Sequence, residues 1–172
     1  FNAPTFPVFY ASPDLQTCVH ECRTAVEDSL FVATVCPNRP LKLLNLASLL
    51  EEKGVDEFES LDMAMHMLLL AGKHSYEITQ DIAVAAKNAG FDGLVYTSYF
   101  SSIRTGVGLF TTSYGMSHRR IPRLQGIEQS LVVPNLVLFG YPIKEKIVSV
   151  KCMNKLMLGS VQYDLRFGPV TH

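Results

Sequence analysis

The sequence lacks an apolar run long enough to span a membrane. A spanning helix needs about 18 or more consecutive apolar residues, and polar residues or prolines interrupt every stretch here sooner. The chain opens with Phe1-Asn2-Ala3-Pro4, which does not have the character of a signal peptide. Four cysteines among 172 residues do not make a disulfide framework. These absences favour a protein of a reducing compartment without a membrane anchor.

A strong net charge is also missing, because 15 basic residues stand against 16 acidic ones. Proteins that hold nucleic acid or anionic membranes by bulk electrostatics carry a basic excess, so neither partner is expected. The glycine-rich loops of Rossmann and P-loop nucleotide sites are absent, as is the Gly-x-Ser-x-Gly elbow of serine hydrolases. The length predicts a single domain over residues 1–172 that is large enough for a core of its own.

The segment Cys18-Val19-His20-Glu21-Cys22 contains residue types that ligate metals. Its two cysteines lie one helical turn apart, but no second Cys or His pair at structural-zinc spacing accompanies them. Cysteines on the apolar face of a helix are more often small core residues. No metal site is therefore predicted.

Residues 75–102 organise the rest of the chain. Their apolar residues recur at helical spacing, and Gly90 predicts the helix end, where a residue of positive φ is favoured. Leu94-Val95-Tyr96 predicts a short buried strand that places Thr97 and Ser98 at its exit. Such a unit can aim hydroxyls into a cleft, although α/β proteins of many functions contain one. The predicted buried face of the helix consists of Ile78, Ile82, Ala85, Ala86 and Ala89.

The remaining elements follow from the same patterns. Ser12-Pro13-Asp14 predicts the start of a helix that buries Leu15, Cys18 or Val19, Cys22 and Val26, with Glu21 half-buried at the edge of this stripe. Helices are expected over 47–53 and 60–71 (with Met63, Met67 and Leu70 in the core). Irregular or extended chain is expected over 29–46, with a strand over 41–46, and a long loop or insertion over 105–129. Strands are expected over 6–10, 131–139 (with Pro134 at an edge or a bulge), 145–150, 154–158 and 161–167. Helices combined with antiparallel strands indicate an α+β fold.

Three separated stretches resemble the RES domain family. The first is Phe-Tyr-Ala-Ser at 9–12, followed by a helix with His20 and Glu21. The second is Tyr-Glu-Ile-Thr-Gln at 76–80 with Ala-Gly-Phe-Asp-Gly-Leu-Val-Tyr-Thr-Ser at 89–98, and the third is Asn-Leu-Val-Leu-Phe at 135–139. Their order and spacing agree over about residues 1–140. The family is named for an Arg, a Glu and a Ser, and it includes bacterial toxins that consume NAD⁺.

The resemblance implies an ADP-ribosyltransferase-like fold, a mixed split β-sheet sandwich with flanking helices. It assigns catalysis to Glu21, as the acid that stabilises an oxocarbenium-like ribose, and to Ser98, which would hydrogen-bond the nicotinamide amide or the ribose. Tyr10 and Tyr96 would contact NAD⁺, which is the substrate, so no further cofactor and no metal is expected.

The family's arginine is missing from the given sequence. It belongs to an Arg-Phe-Asn or similar triplet and would immediately precede Phe1, so the chain is expected to lack upstream residues of the family core. Arg23 and Arg104 are the arginines nearest to the proposed site in sequence, and we assign the role to neither. We therefore expect weak or no turnover from this chain, and turnover from a longer chain that carries the upstream arginine.

The function implied is a toxin domain that cleaves the nicotinamide–ribose bond of NAD⁺, with water (glycohydrolase) or phosphate (phosphorylase) as acceptor. Transfer of ADP-ribose to a macromolecule is the enzymatic alternative, and a catalytically inactive NAD-fold binding module is the alternative of another class. An antitoxin or immunity protein is the expected partner, and homo-oligomerisation is left open. The expected site of action is the cytoplasm, of the producing cell or of a rival into which the toxin is delivered.

Overall fold

The computed structural model describes residues 1, 4–71, 75–108 and 111–161. Helices and short strands are mixed along the chain, which confirms the α+β class. In these ranges no helix has both the length and the apolar character needed to cross a membrane. The elements in chain order are β1 (Val8–Ala11), α1 (Leu15–Glu21), β2 (Ser29–Pro37), β3 (Leu43–Asn45), α2 (Leu61–Leu70), α3 (Tyr76–Asn88), β4 (Gly93–Thr97), α4 (Ser101–Thr105), β5 (Thr112–Ser113), β6 (Met116–Ser117), a 3₁₀ turn (His118–Arg120), α5 (Pro122–Ser130), β7 (Pro134–Phe139) and β8 (Val148–Met157).

The central sheet has four strands in the order β1-β7-β4-β3. β3 and β4 are parallel, whereas β7 runs antiparallel to both of its neighbours. Leu94 on β4 and Val137 on β7 are fully buried and form the middle of the core. Pro134, which we expected at an edge or a bulge, stands instead at the first residue of a central strand. That position also tolerates proline.

The predicted helix–turn–strand unit exists, but α3 packs through a face that only partly overlaps the predicted one. Ala83 and Ala86 are buried against the core, whereas Ile78 is 55% exposed. Ala86 belongs to the predicted face and is buried as expected, so the buried face overlaps the predicted one and is shifted toward Ala83. The predicted face was wrong for Ile78, Ala85 and Ala89, which are exposed. Gly90 has φ of 77° just after the helix, as predicted.

Asp92, in the turn between α3 and β4, ties this unit to the chain before β3. Its two carboxylate oxygens accept hydrogen bonds from Arg39 at 2.9 and 2.6 Å, and the backbone N–H of Lys42 donates to it at 2.8 Å. The hydrogen bond from Arg39, with help from Lys42, lowers the pKa of Asp92 below its ordinary value of 3.8. The carboxylate is therefore favoured in the folded state.

This linkage predicts a pH-dependent effect of Asp92→Asn. A carboxyl with a depressed folded pKa stabilises the fold above its unfolded pKa, and the stabilisation is lost as pH falls through the folded value. The variant should therefore unfold at a lower urea concentration than the wild type at pH 7, and the difference should shrink as the pH falls below about 3.8. The urea midpoints of both proteins between pH 2.5 and 7 measure this difference in stability. A difference that grows on acidification would contradict a stabilising role of the Asp92 carboxylate.

A separate two-stranded ribbon pairs β2 with β8 antiparallel, from Ser29 opposite Met157 to Pro37 opposite Val148. The chain expected to be irregular or extended over 29–46 is thus extended in β2 and again in β3, which lies within the strand expected over 41–46. Strands 145–150 and 154–158 were predicted separately, and the structure has one strand, because the ladder with β2 continues through the intervening residues. Of the strand expected over 161–167, Val161 is not in a strand and the rest lies outside the described residues.

The stretch 105–129, predicted as a loop, is partly helical and is held by charged groups. α5 begins with Pro122 at its first position, which suits proline. Arg119 forms two hydrogen bonds with Asp62 of α2, at 2.8 and 2.9 Å, and both side chains are 5% exposed. This buried pair attaches the segment to α2 far away in sequence.

The helix expected over 47–53 is absent, because this stretch serves α2 instead. Glu52 accepts hydrogen bonds from the Ser60 hydroxyl at 2.5 Å and from the Leu61 N–H at 2.7 Å. An acid at a helix N-terminus satisfies donors that the helix itself leaves unpaired. α2 has the predicted extent with Ser60 as N-cap, and Met63 is buried as expected. Met67 is not, since it is 56% exposed.

Candidate active site

Glu21 is the last residue of α1, a helix of seven residues. The helix begins at Leu15 after an extended Asp14, two residues later than Ser12-Pro13 predicted. The predicted apolar stripe was wrong in part: Leu15 is exposed at the start of the helix, and Cys22 and Val26 are exposed because the helix ends before them. Glu21, which we expected to be half-buried, is exposed as well. The ring of His20 stacks on Phe100 with centroids 5.6 Å apart, which fixes the end of α1 beside the residues that follow β4.

The carboxylate of Glu21 receives two hydrogen bonds from residues far away in sequence. Its Oε1 accepts from the Ser98 hydroxyl at 2.8 Å and from Asn135 Nδ2 at 2.6 Å, across 77 and 114 residues of chain. Ser98 follows the last residue of β4, and Asn135 is the second residue of the antiparallel β7. Both therefore lie at the same end of the central sheet, where α1 delivers the acid.

Ser98 lies behind the carboxylate rather than in the open cleft. Its side chain is fully buried, and its hydroxyl also accepts a hydrogen bond from the Phe100 N–H at 3.1 Å. Its own backbone N–H donates to Val133 O at 2.9 Å. The sequence predicted a hydroxyl that meets the substrate directly, and the structure places it where it holds Glu21 in position.

Asn135 is the site residue that sequence reasoning missed. It is 3% exposed, and its Nδ2 lies 2.6 Å from Glu21 and 3.3 Å from the Tyr96 hydroxyl. Its Oδ1 is buried and has no hydrogen-bond partner among the described residues. A buried unpaired carbonyl oxygen costs free energy, so it is a candidate acceptor for a ligand donor. An amide inside the apolar run 134–139 was the available signal.

A cleft of about 900 Å³ opens beside Glu21 and Asn135. Its volume lies within the usual range for small-molecule sites, about 300–1,000 Å³. Six aromatic residues contribute to its lining: Phe1, Tyr10, Tyr76, Tyr96, Tyr99 and Phe100. Of these, Tyr10, Tyr76 and Tyr99 are about half exposed.

A family model for the RES domain matches residues 1–126, well over half of the chain. The chain belongs to the RES domain family. The matched range contains Tyr10, Glu21 and Ser98, whereas Asn135 lies beyond it. RES domains are associated with toxin–antitoxin systems. No curated protein and no solved structure matches the chain.

The two tyrosines that we predicted to contact the ligand both line the cleft of this RES domain. Burial, and then the negative charge of Glu21, raises the pKa of the Tyr96 hydroxyl; the Asn135 hydrogen bond only partly offsets this. Burial also raises the pKa of Tyr10, with further contributions from Tyr76 and Glu21. Both phenols are therefore protonated near neutral pH, which suits stacking and hydrogen-bond donation.

The cysteines of the RES domain's α1 region also border the cleft. Burial raises the pKa of the Cys18 thiol, which favours the protonated form over the thiolate that attacks or ligates metals. Cys22 is exposed. Among the described residues, no group of three or more His, Cys, Asp and Glu side chains is arranged to hold a metal ion.

Of the two arginines nearest in sequence, Arg23 lines the cleft. The side chain of Arg104 lies outside the described part of this RES domain.

Proposed function

We propose that this RES domain cleaves the bond between nicotinamide and ribose in NAD⁺, in a cleft of ADP-ribosyltransferase-like type. The observation that carries the proposal is the carboxylate of Glu21, fixed by Ser98 and Asn135 at an aromatic-lined cleft. Membership of the RES family supports the substrate. In the same proposal, the cytoplasm is the site of action, and an antitoxin that covers the half-exposed rings at the cleft is the partner.

The chemistry needs a negative charge beside the ribose. As the glycosidic C–N bond breaks, its electron pair leaves with the nicotinamide ring, which becomes neutral, and positive charge develops on the ribose. A preorganised carboxylate stabilises such a transition state. The hydrogen bonds from Ser98 and Asn135 both go to Oε1 of Glu21, and within the described residues Oε2 has no hydrogen-bond partner. Oε2 is therefore the atom that faces the ribose.

The other site residues orient the two reacting partners. Ser98 and Asn135 hold the carboxylate, so it does not have to reorganise when charge develops. The unpaired Oδ1 of Asn135 accepts a hydrogen bond from an N–H or O–H of the bound dinucleotide. Tyr10 and Tyr96 supply aromatic faces for its rings. A water molecule then adds to the ribose and releases one proton, giving ADP-ribose, nicotinamide and H⁺.

The test is incubation with NAD⁺, once in phosphate-free buffer and once in phosphate, with products separated by chromatography. We expect nicotinamide in an amount equal to the NAD⁺ consumed. ADP-ribose as the co-product identifies water as acceptor, and a phosphorylated ADP-ribose formed only in phosphate buffer identifies a phosphorylase. ADP-ribose attached to an added protein or nucleic acid identifies a transferase. An NAD⁺ pool that stays intact both with this chain and with a chain extended upstream by the family's arginine would contradict the proposal and favour a binding module.

A further inference from the structure

Arg23 is distinguished by its charge among the residues that line the cleft. Of the described lining residues, it alone carries a cationic side chain at neutral pH, and Glu21 is the acid among them. Two peptide units join Glu21 to Arg23, so their Cα atoms lie at most about 7.6 Å apart, and both residues line the same cleft. A cleft with Glu21 as its sole charge would repel a phosphorylated ligand. Arg23 removes that obstacle.

The backbone of Arg23 adopts a conformation that is unfavourable for any residue with a side chain. Its φ is 50°, in the left-handed region, and its N–H donates to His20 O at 3.0 Å, closing the end of α1. Glycine is the residue that occupies this position after a helix at the lowest cost. Within the described residues, the guanidinium forms no ion pair or hydrogen bond that would stabilise the fold in return. Strain of this kind often accompanies a functional side chain.

We propose that Arg23 is the anion-binding residue of this cleft and that it pairs with the phosphate groups of a nucleotide ligand. A guanidinium binds phosphate oxygens with two parallel hydrogen bonds. In a dinucleotide whose ribose lies at Glu21, the 5′-phosphate of that same ribose is the nearest anion. The ligand class is therefore phosphorylated nucleosides, and unphosphorylated nucleosides bind without this contact. The inference rests on the proposed function for its placement of the ribose.

The experiment compares ligand binding by the wild type, Arg23→Gly and Arg123→Gln. Arg123 is exposed on α5 and does not line the cleft, so its variant controls for loss of one positive charge. We expect Arg23→Gly to raise the dissociation constant for ADP-ribose at least 10-fold while leaving that for adenosine unchanged, and Arg123→Gln to change neither. Arg23→Gly should melt at the same temperature as the wild type or higher, because glycine relieves the backbone.

The outcomes separate this inference from the proposed function. Weaker ADP-ribose binding by Arg23→Gly supports the inference, whether or not the wild type releases nicotinamide. A wild type that releases no nicotinamide removes only the proposed cleavage reaction. Nicotinamide release with the same KM for NAD⁺ in the wild type and Arg23→Gly overturns the inference and leaves the function intact. Equal losses of ADP-ribose and adenosine binding also overturn it, as does a wild type that binds no ADP-ribose.

Where NAD⁺ cleavage is measurable, a phosphate-free substrate gives a second readout. Arg23→Gly should raise the KM for NAD⁺ and leave that for nicotinamide riboside unchanged. An equal rise for both substrates would indicate general damage to the cleft and would overturn the assignment.

Discussion

Glu21→Gln should lower the rate of nicotinamide release from NAD⁺ by about 100-fold or more while the protein stays folded. Glutamine keeps the shape of the side chain, and its carbonyl oxygen can still accept the hydrogen bonds of Ser98 and Asn135. It cannot carry the negative charge that opposes the positive charge on the ribose. Loss of one preorganised electrostatic contact in an active site typically costs about 10²–10³ in rate.

The matched control is Glu51→Gln, at an exposed position that does not line the cleft. It makes the same chemical change and should leave the rate within twofold of the wild type. Thermal melting of both variants shows whether the fold is retained. A Glu21→Gln protein that consumes NAD⁺ at the wild-type rate would remove the proposed mechanism.

Gly93→Ala should destabilise the fold by about 3 kcal/mol or more, an effect at the upper end for overpacking. A Cβ at this position would lie 2.0 Å from the carbonyl oxygen of Val137 and 3.0 Å from its carbonyl carbon. These are backbone atoms of β7, the neighbouring strand in the middle of the sheet, so no side-chain rotation relieves the clash. β4 and β7 must separate, and they carry Ser98 and Asn135 at their far ends.

Gly126→Ala is the control for this substitution. Gly126 lies inside α5, and a Cβ there would meet nothing within 4 Å. Alanine should stabilise the helix by up to about 1 kcal/mol, because glycine is the poorer helix former. Urea denaturation of both variants gives the two free energies of unfolding, which should differ from the wild type in opposite directions. Equal stability of Gly93→Ala and the wild type would show that the strand pairing is wrong.

The helix–turn–strand unit around α3 was predictable because its signals are local. Gly90 marks the end of the helix through its positive φ, and the apolar residues after Asp92 mark β4. The face that α3 buries was not predictable in the same way. It depends on where the sheet lies against the helix, which buries Ala83 and Ala86 and leaves Ile78 exposed.

The segments that sequence reasoning assigned wrongly depend on partners that are distant in sequence. Residues 105–129 look like a loop until Asp62 of α2 is placed against Arg119. The helix expected over 47–53 fails because Glu52 caps the N-terminus of α2 instead of forming local hydrogen bonds. Periodicity along one stretch contains no information about such contacts.

The candidate site was predictable in part, through family resemblance and not through pattern. The likeness picked out Glu21 and Ser98, and the structure brings their side chains to 2.8 Å. It did not reveal that Ser98 is buried behind the acid. Nor did it give Asn135 a role, because an amide in an apolar strand gains its meaning only when the β4–β7 register sets it opposite Tyr96.

The most direct test of a site in which Ser98 acts through Glu21 is the rate of nicotinamide release by the wild type, Ser98→Ala, Glu21→Gln and the double variant. Residues that act as a unit give non-additive losses. We expect Ser98→Ala alone to be about 10-fold slower than the wild type, because Asn135 still holds the carboxylate, and the double variant to be no slower than Glu21→Gln. Losses that multiply in the double variant, or a Ser98→Ala protein that retains the full rate, would contradict this arrangement.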